Sequence, residues 1–215
     1  MMILASISSL TITPIHSERW LPTPTFLDPP QWDLDSWSSK IVYLLGCSHN
    51  LRCSMPHDPR SAEFDQFAAQ WRYLYNEIQQ LGIACPRVCR PLSVLPAKPN
   101  SVNQPFESVH YINGSIAAAW QMFHTVQMIL GLCSPNTRYS GNSSRANIEI
   151  FATRIVSNSI SNRFPVAWVT AVQLLTSAGK WLVEPVERQA YALILDNIRS
   201  RTGWNTTDSH TTEKS

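Results

Sequence analysis

From Ser108 to Cys133 the chain reads SVHYINGSIAAAWQMFHTVQMILGLC, and the thirty residues from Ser108 to Thr137 contain no Asp, Glu, Lys or Arg. Ile112, Ile116, Ala119, Trp120, Phe123, Val126, Ile129 and Leu130 recur at helical spacing. Apolar side chains cover most of the circumference of such a helix, so other elements must surround it. A bilayer is the wrong surrounding. His110, Asn113, Gln121, His124 and Gln127 would sit at depths where hydrocarbon offers them no partner. The stretch is predicted to be the uncharged central helix of a helical core.

Prolines and caps delimit the rest. Pro86, Pro91, Pro96, Pro99 and Pro105 leave no room for a helix or a central strand, so 84–105 reads as a proline-rich loop of about twenty residues. Ahead of it, Phe64, Phe67, Ala68, Trp71, Leu74, Tyr75, Ile78 and Leu81 form the cleanest amphipathic stripe, opened by Ser61 and stopped by Gly82. Asp35 or Ser36 caps an earlier helix through about Arg52, with Trp37, Ile41, Leu44, Leu45 and Leu51 on one side. Pro22, Pro24, Pro29 and Pro30 hold Leu21 to Gln31 extended. Beyond the central helix, Ser143 or Ser144 caps a helix that runs through Ile148, Phe151, Ile155 and Val156 to about Ser161. Pro165 suits the first turn of the next, with Trp168, Val169, Val172 and Leu175. Glu184-Pro185 opens the last, which carries Ala190, Tyr191, Ile194, Leu195 and Ile198 and stops at Thr202-Gly203-Trp204. No alternating strand and no internal repeat is found. The expectation is an all-α protein, an irregular bundle of about six helices around the uncharged one. Its parts are an extended segment 1–34, a helical domain 35–204 and a polar tail 205–215.

The chain has 215 residues, of which 44% are hydrophobic and only 15% charged, with eight tryptophans. Disorder needs the opposite composition. Seventeen Lys+Arg against fifteen Asp+Glu leaves +2, too little for a chain that lives on phosphate contacts. The basic residues are dispersed, and Arg87, Arg90 and Lys98 in the proline-rich loop read as solvated. Trp and Tyr fall at core spacing, so they read as packing before base stacking. Cys47, Cys53, Cys85, Cys89 and Cys133 form an odd set without a CxxC, which argues for idle thiols over a disulfide framework or a zinc site. The apolar start, MMILASISSLTI, lacks the basic region of a signal peptide.

Chemistry-bearing motifs are scarce. No phosphate-cradling GxxxxGK[ST] or GxGxxG, no HExxH, no GxSxG and no kinase signature occurs. Asp33 and Asp35, a close carboxylate pair beside the proline-rich entry, read as a cap and a solvated turn. His110 and His124 would stand ~21 Å apart on one helix and could not share a metal. The group of interest is Gln121, His124 and Gln127. Spacings of three and four bring them together, and a few polar groups among aromatics are how small-molecule pockets orient a ligand. They are the candidate effector-binding residues. No nucleophile is paired with His124, so no catalytic residue, metal or cofactor is assigned.

The order of motifs resembles the C-terminal regulatory region of fungal zinc-cluster transcription factors. It includes Trp120-Gln121-Met122-Phe123-His124 leading to Ile129-Leu130 and Pro135. It continues with Leu174-Leu175-Thr176-Ser177-Ala178-Gly179, then Glu187-Arg188, then Ala192 to Ile198, then Thr202-Gly203-Trp204. Upstream, Trp71 to Leu81 followed by prolines and Pro105-Phe106 is similar to the same region, so the resemblance spans roughly 35–205. Two departures stand out. The family's six-cysteine DNA-binding module is not in this sequence, and Leu174-Leu175 replaces the usual Leu-Trp. The resemblance implies a nuclear transcription regulator, in the setting of secondary-metabolite genes. It implies a small-molecule effector and protein partners of the transcription machinery or a full-length factor, without direct DNA contact, membrane association or enzyme activity. The rival expectation is an all-α enzyme of fungal secondary metabolism that uses the uncharged helix as a pocket wall.

Overall fold

Five of the six helices begin at a capping side chain or at a proline suited to the first turn. The computed structural model describes residues 33–98, 101, 104–135 and 141–203, without the side chains of 141–144. The extended segment around 21–31, Trp204 and the polar tail lie outside the described residues. Asp33 accepts from the Ser36 N–H at 2.8 Å and caps α1, Leu34–Cys53, two or three residues ahead of the expected Asp35 or Ser36. Ser61 accepts from Phe64 N–H and caps α2, Ala62–Ile83. The central helix α3, Gly114–Leu132, is capped by Asn113, whose side chain takes the Ile116 N–H. Helix α4 spans Gly141–Ser161 and so starts ahead of Ser143 and Ser144. Pro165 and Pro185 occupy the first positions of α5, Pro165–Gly179, and α6, Pro185–Thr202. Gly203 ends α6 in the left-handed conformation, φ 71°, which a residue without a Cβ adopts at no steric cost.

The fold is the expected all-α bundle. α3 is its axis and packs against α1, α2, α4 and α5, while α6 packs mainly on α5. Ile116, Ala117, Ala119, Val126, Ile129 and Leu130 are all sealed from solvent. Gly82 does not stop α2 but lies inside its last turn, where a Cβ would stand 3.0 Å from Phe123 Cζ of α3. The glycine lets the two helices close on that ring.

Four tryptophans do more than fill the core. A helix leaves its last four carbonyls without helical partners, and a buried indole N–H needs an acceptor. Trp37 donates to Leu81 O near the end of α2 at 3.1 Å. Trp71 donates to Leu130 O near the end of α3 at 2.8 Å, and Trp168 to Ser159 O near the end of α4 at 3.0 Å. Trp120 donates to Cys89 O, the last residue of a 3-10 turn over Arg87–Cys89, at 2.7 Å. Each indole thus satisfies a carbonyl that a helix end leaves orphaned, and each links two elements.

Two expectations fail. The helix foreseen over 108–133 begins only at Gly114, because Asn113 caps it there. The residues ahead of it, Ser108–His110, form strand β2, which pairs antiparallel with β1, Ser93–Leu95, Val94 facing Val109. The proline-rich loop therefore contains a 3-10 turn and a short strand. Pro91 and Pro96 flank β1 and are tolerated because a two-stranded ladder has only edges. His110 is a strand residue, so its expected place on the central helix falls. No described helix is long and apolar enough to cross a membrane.

Candidate functional site

The polar residues of α4 decide where the two-stranded ladder lies. Asn162, just past the helix end, accepts the Tyr111 N–H at 3.0 Å and donates to Val109 O at 2.7 Å and to Asn158 O at 3.1 Å. Ser157 donates to Glu107 O, and Asn158 donates to Ala117 O of α3 at 3.0 Å. These bonds hold β2 across the α3–α4 pair, while the Trp120–Cys89 bond holds the 3-10 turn on α3. Between the ladder and the helices lies a cleft of about 560 Å³. That volume is within the roughly 300–1,000 Å³ typical of small-molecule sites.

The floor of the cleft is aromatic and neutral. Trp120 and Tyr111 stack with centroids 6.0 Å apart and planes 17° apart, and both line it with His124 and Phe106. The His124 ring sits 5.6 Å from that of Trp120. Burial pushes its pKa down to about 4, the hydrogen bond to Gln127 works against this, and the Arg154 charge adds to it. Near neutral pH His124 is therefore an uncharged imidazole. With Nδ1–H donating to Gln127 Oε1 at 3.1 Å, the lone pair is left on Nε2. Burial likewise raises the Tyr111 pKa, so its hydroxyl stays protonated. Charged side chains complete the lining, with Arg154 from α4, Glu107 beside β2 and Glu187 from α6.

Of the three residues singled out by spacing, only His124 lines the cleft. Gln127 touches it through the imidazole. Gln121 is fully buried and turned to α4, where its amide donates to Ser159 Oγ at 2.8 Å and its Oε1 has no partner. Sequence spacing missed Tyr111, Glu107, Arg154, Asn158 and Glu187, which come from three separate stretches. A usable signal existed in Ser157-Asn158-Ser159-Ile160-Ser161-Asn162, a polar run on a helix whose earlier turns bury Ile148, Ala152, Ile155 and Val156. Arg87, Arg90 and Lys98 are exposed and off the cleft.

The serine and threonine hydroxyls on the cleft are committed to main chain, Ser157 to Glu107 O and Thr153 to Ile150 O at 2.9 Å. The Cys53 thiol approaches His49 Nε2 at 3.6 Å, but both lie off the cleft on α1, and burial raises the Cys53 pKa. Among the described residues no group of three His, Cys, Asp or Glu side chains is placed to hold a metal ion. The arrangement suits holding a ligand between rings and uncharged hydrogen-bonding groups, with ionic contacts added from the charged lining. Comparison with protein-family models, with curated proteins and with solved structures finds no match.

Proposed function

We propose that this chain is the effector-binding regulatory domain of a transcription regulator of the fungal zinc-cluster type, read from the order of its motifs and carried by one structural observation. That observation is the cleft over α3, whose aromatic floor holds a neutral His124 oriented by Gln127. A small molecule binds there and biases the ladder and α4 between packings, a shift that requires different affinity for the two states. The output passes through protein partners in the nucleus.

The test is a tethered reporter. The whole chain is fused to an unrelated DNA-binding module, alongside a Val109→Trp variant that fills the cleft. Reporter output that differs from the bare module, and that changes in the cleft-filled variant, supports the reading. Output equal to the bare module overturns it, as does tight, sequence-selective DNA binding by the unfused chain in a mobility-shift assay.

One observation favours the rival all-α enzyme, namely that His124 shares its cleft with Glu107 and Glu187. No hydrogen bond joins the imidazole to either carboxylate among the described residues, and its bond to Gln127 uses Nδ1. Ligand turnover that is lost in His124→Gln, with binding retained, would establish the enzyme in place of the regulator.

A further inference from the structure

Three charged side chains that line the cleft form no ion pair among the described residues. The ion pairs among the described residues are Lys40–Glu77, Arg145–Glu149 and Arg199–Asp196. Arg154, Glu107 and Glu187 take part in none of them, although all three line one cleft. Opposite charges that share a cleft gain by meeting, or by meeting something placed between them. Burial raises the Glu187 pKa, the neighbouring Glu184 and Glu149 charges add to this, and hydrogen bonds from the backbone of Glu184 and Val183 only partly offset it. The Arg154 charge reaches both His124 and Tyr111, which places it beside the aromatic floor.

A simple anion on Arg154 would share the cleft with two carboxylates, and a simple cation on a carboxylate would share it with the guanidinium. A molecule with both signs meets each with its opposite. The floor adds a further condition. Trp120 and Tyr111 offer stacked ring surface, and the Trp120 N–H is already spent on Cys89 O, so the indole presents apolar surface to a ligand. The polar groups at the floor, His124 and the Tyr111 hydroxyl, are uncharged and match an uncharged part of the ligand.

We propose that the cleft binds an aromatic zwitterion, a planar ring bearing an ammonium and a carboxylate, of which an aromatic α-amino acid is the simplest. The carboxylate meets Arg154, the ammonium meets Glu107 and Glu187, and the ring lies against Trp120 and Tyr111. This rests on the reading of the cleft as an effector site and names what that site takes.

The experiment uses the whole chain, isothermal titration calorimetry and amide and indole NMR shifts, with L-tryptophan, tryptamine, N-acetyl-L-tryptophan, glycine, indole and 2-naphthol as probes. L-tryptophan binds tightest and shifts the Trp120 indole signal. Tryptamine lacks the carboxylate and N-acetyl-L-tryptophan lacks the ammonium, and each binds about tenfold more weakly. Glycine does not bind. Arg154→Ala weakens L-tryptophan about tenfold and leaves tryptamine unchanged, while E107Q/E187Q weakens L-tryptophan and leaves the N-acetyl form unchanged. Unaltered circular dichroism shows that the variants fold. Tryptamine or the N-acetyl form binding as tightly as L-tryptophan overturns the zwitterion. Indole or 2-naphthol shifting cleft signals while L-tryptophan does not overturns it too, but leaves the effector site standing. If no probe shifts a cleft signal, both readings fall.

Discussion

His124 makes folding stability depend on pH in a direction fixed by its burial. Its pKa is about 4 in the folded protein against 6.5 when exposed. Between those values the unfolded chain binds a proton that the folded one refuses, so stability falls as pH falls. The contribution is complete above the unfolded value, is lost progressively as acid titrates toward the folded one, and levels off below it. A gap of this size amounts to about 3 kcal/mol at most between roughly pH 7.5 and pH 4. Glu187 works in the opposite sense in the same window. Burial raises its folded pKa, so its contribution is present at low pH and is lost as pH rises. The wild-type profile alone would mix the two. The informative quantity is the difference between wild type and His124→Gln in urea unfolding, taken at pH 7.5, 5.5 and 4 with a constant m-value as the check on two-state behaviour. Wild type loses about 2–3 kcal/mol more than the variant on going from the highest to the lowest pH. Parallel loss in the two proteins would show that His124 is not held neutral and would refute the account of the cleft floor.

Three further outcomes follow from single contacts. Asn162→Ala removes both the acceptor of the Tyr111 N–H and the donor to Val109 O. It should cost about 2–3 kcal/mol and speed hydrogen exchange at Tyr111 and in β2 more than in α1, which NMR reads directly. Trp37→Phe keeps an aromatic ring in the core but strips Leu81 O of its donor. A loss of about 1–3 kcal/mol in urea unfolding is expected, and none would mean that the indole is filler only. Gly179→Ala places a Cβ against the Tyr191 ring, with Cε1 and Oη at 2.7 Å, so overpacking of about 1–3 kcal/mol is expected. Pairing it with Tyr191→Leu should cancel most of that cost, and simple additivity of the two would sink the explanation.

The bundle was legible because each helix end is written locally. Asp33, Ser61, Pro165, Glu184-Pro185 and Gly203 act within one turn of where they stand. The start of the central helix was not legible by the same rule, because an uncharged apolar run gives no contrast at its edge. The better signal was Asn113 before Gly114, a capping residue that outweighs the apolar period ahead of it. Ile112, which the helical period claimed for the core, is 56% exposed. The short strands depend on a partner across the proline-rich loop and on Asn162 of α4, and neither is visible in a window of sequence. The tryptophans were read as packing, and they do pack. Their second role as donors to helix-end carbonyls depends on which end of which helix arrives beside them.

The cleft and the ladder are linked energetically. β1 and β2 form a ladder of three residues each, with Ser93, Val94 and Leu95 exposed. A two-stranded ladder alone is marginal in water. Its position therefore depends on Asn162, Ser157 and the cleft surface it covers. A ligand touching both Glu107 or Val109 and α4 binds only the form in which β2 is seated. At one hundred times its dissociation constant it stabilises that form by about 2.7 kcal/mol. The reverse must also hold. Any change that unseats β2, Asn162→Ala included, weakens the ligand by the fraction of molecules left seated. Exchange at Tyr111 N–H and ligand affinity should move together through a series of α4 variants. A variant that frees the ladder while leaving affinity intact would separate the cleft from the seating of β2 and refute the coupling.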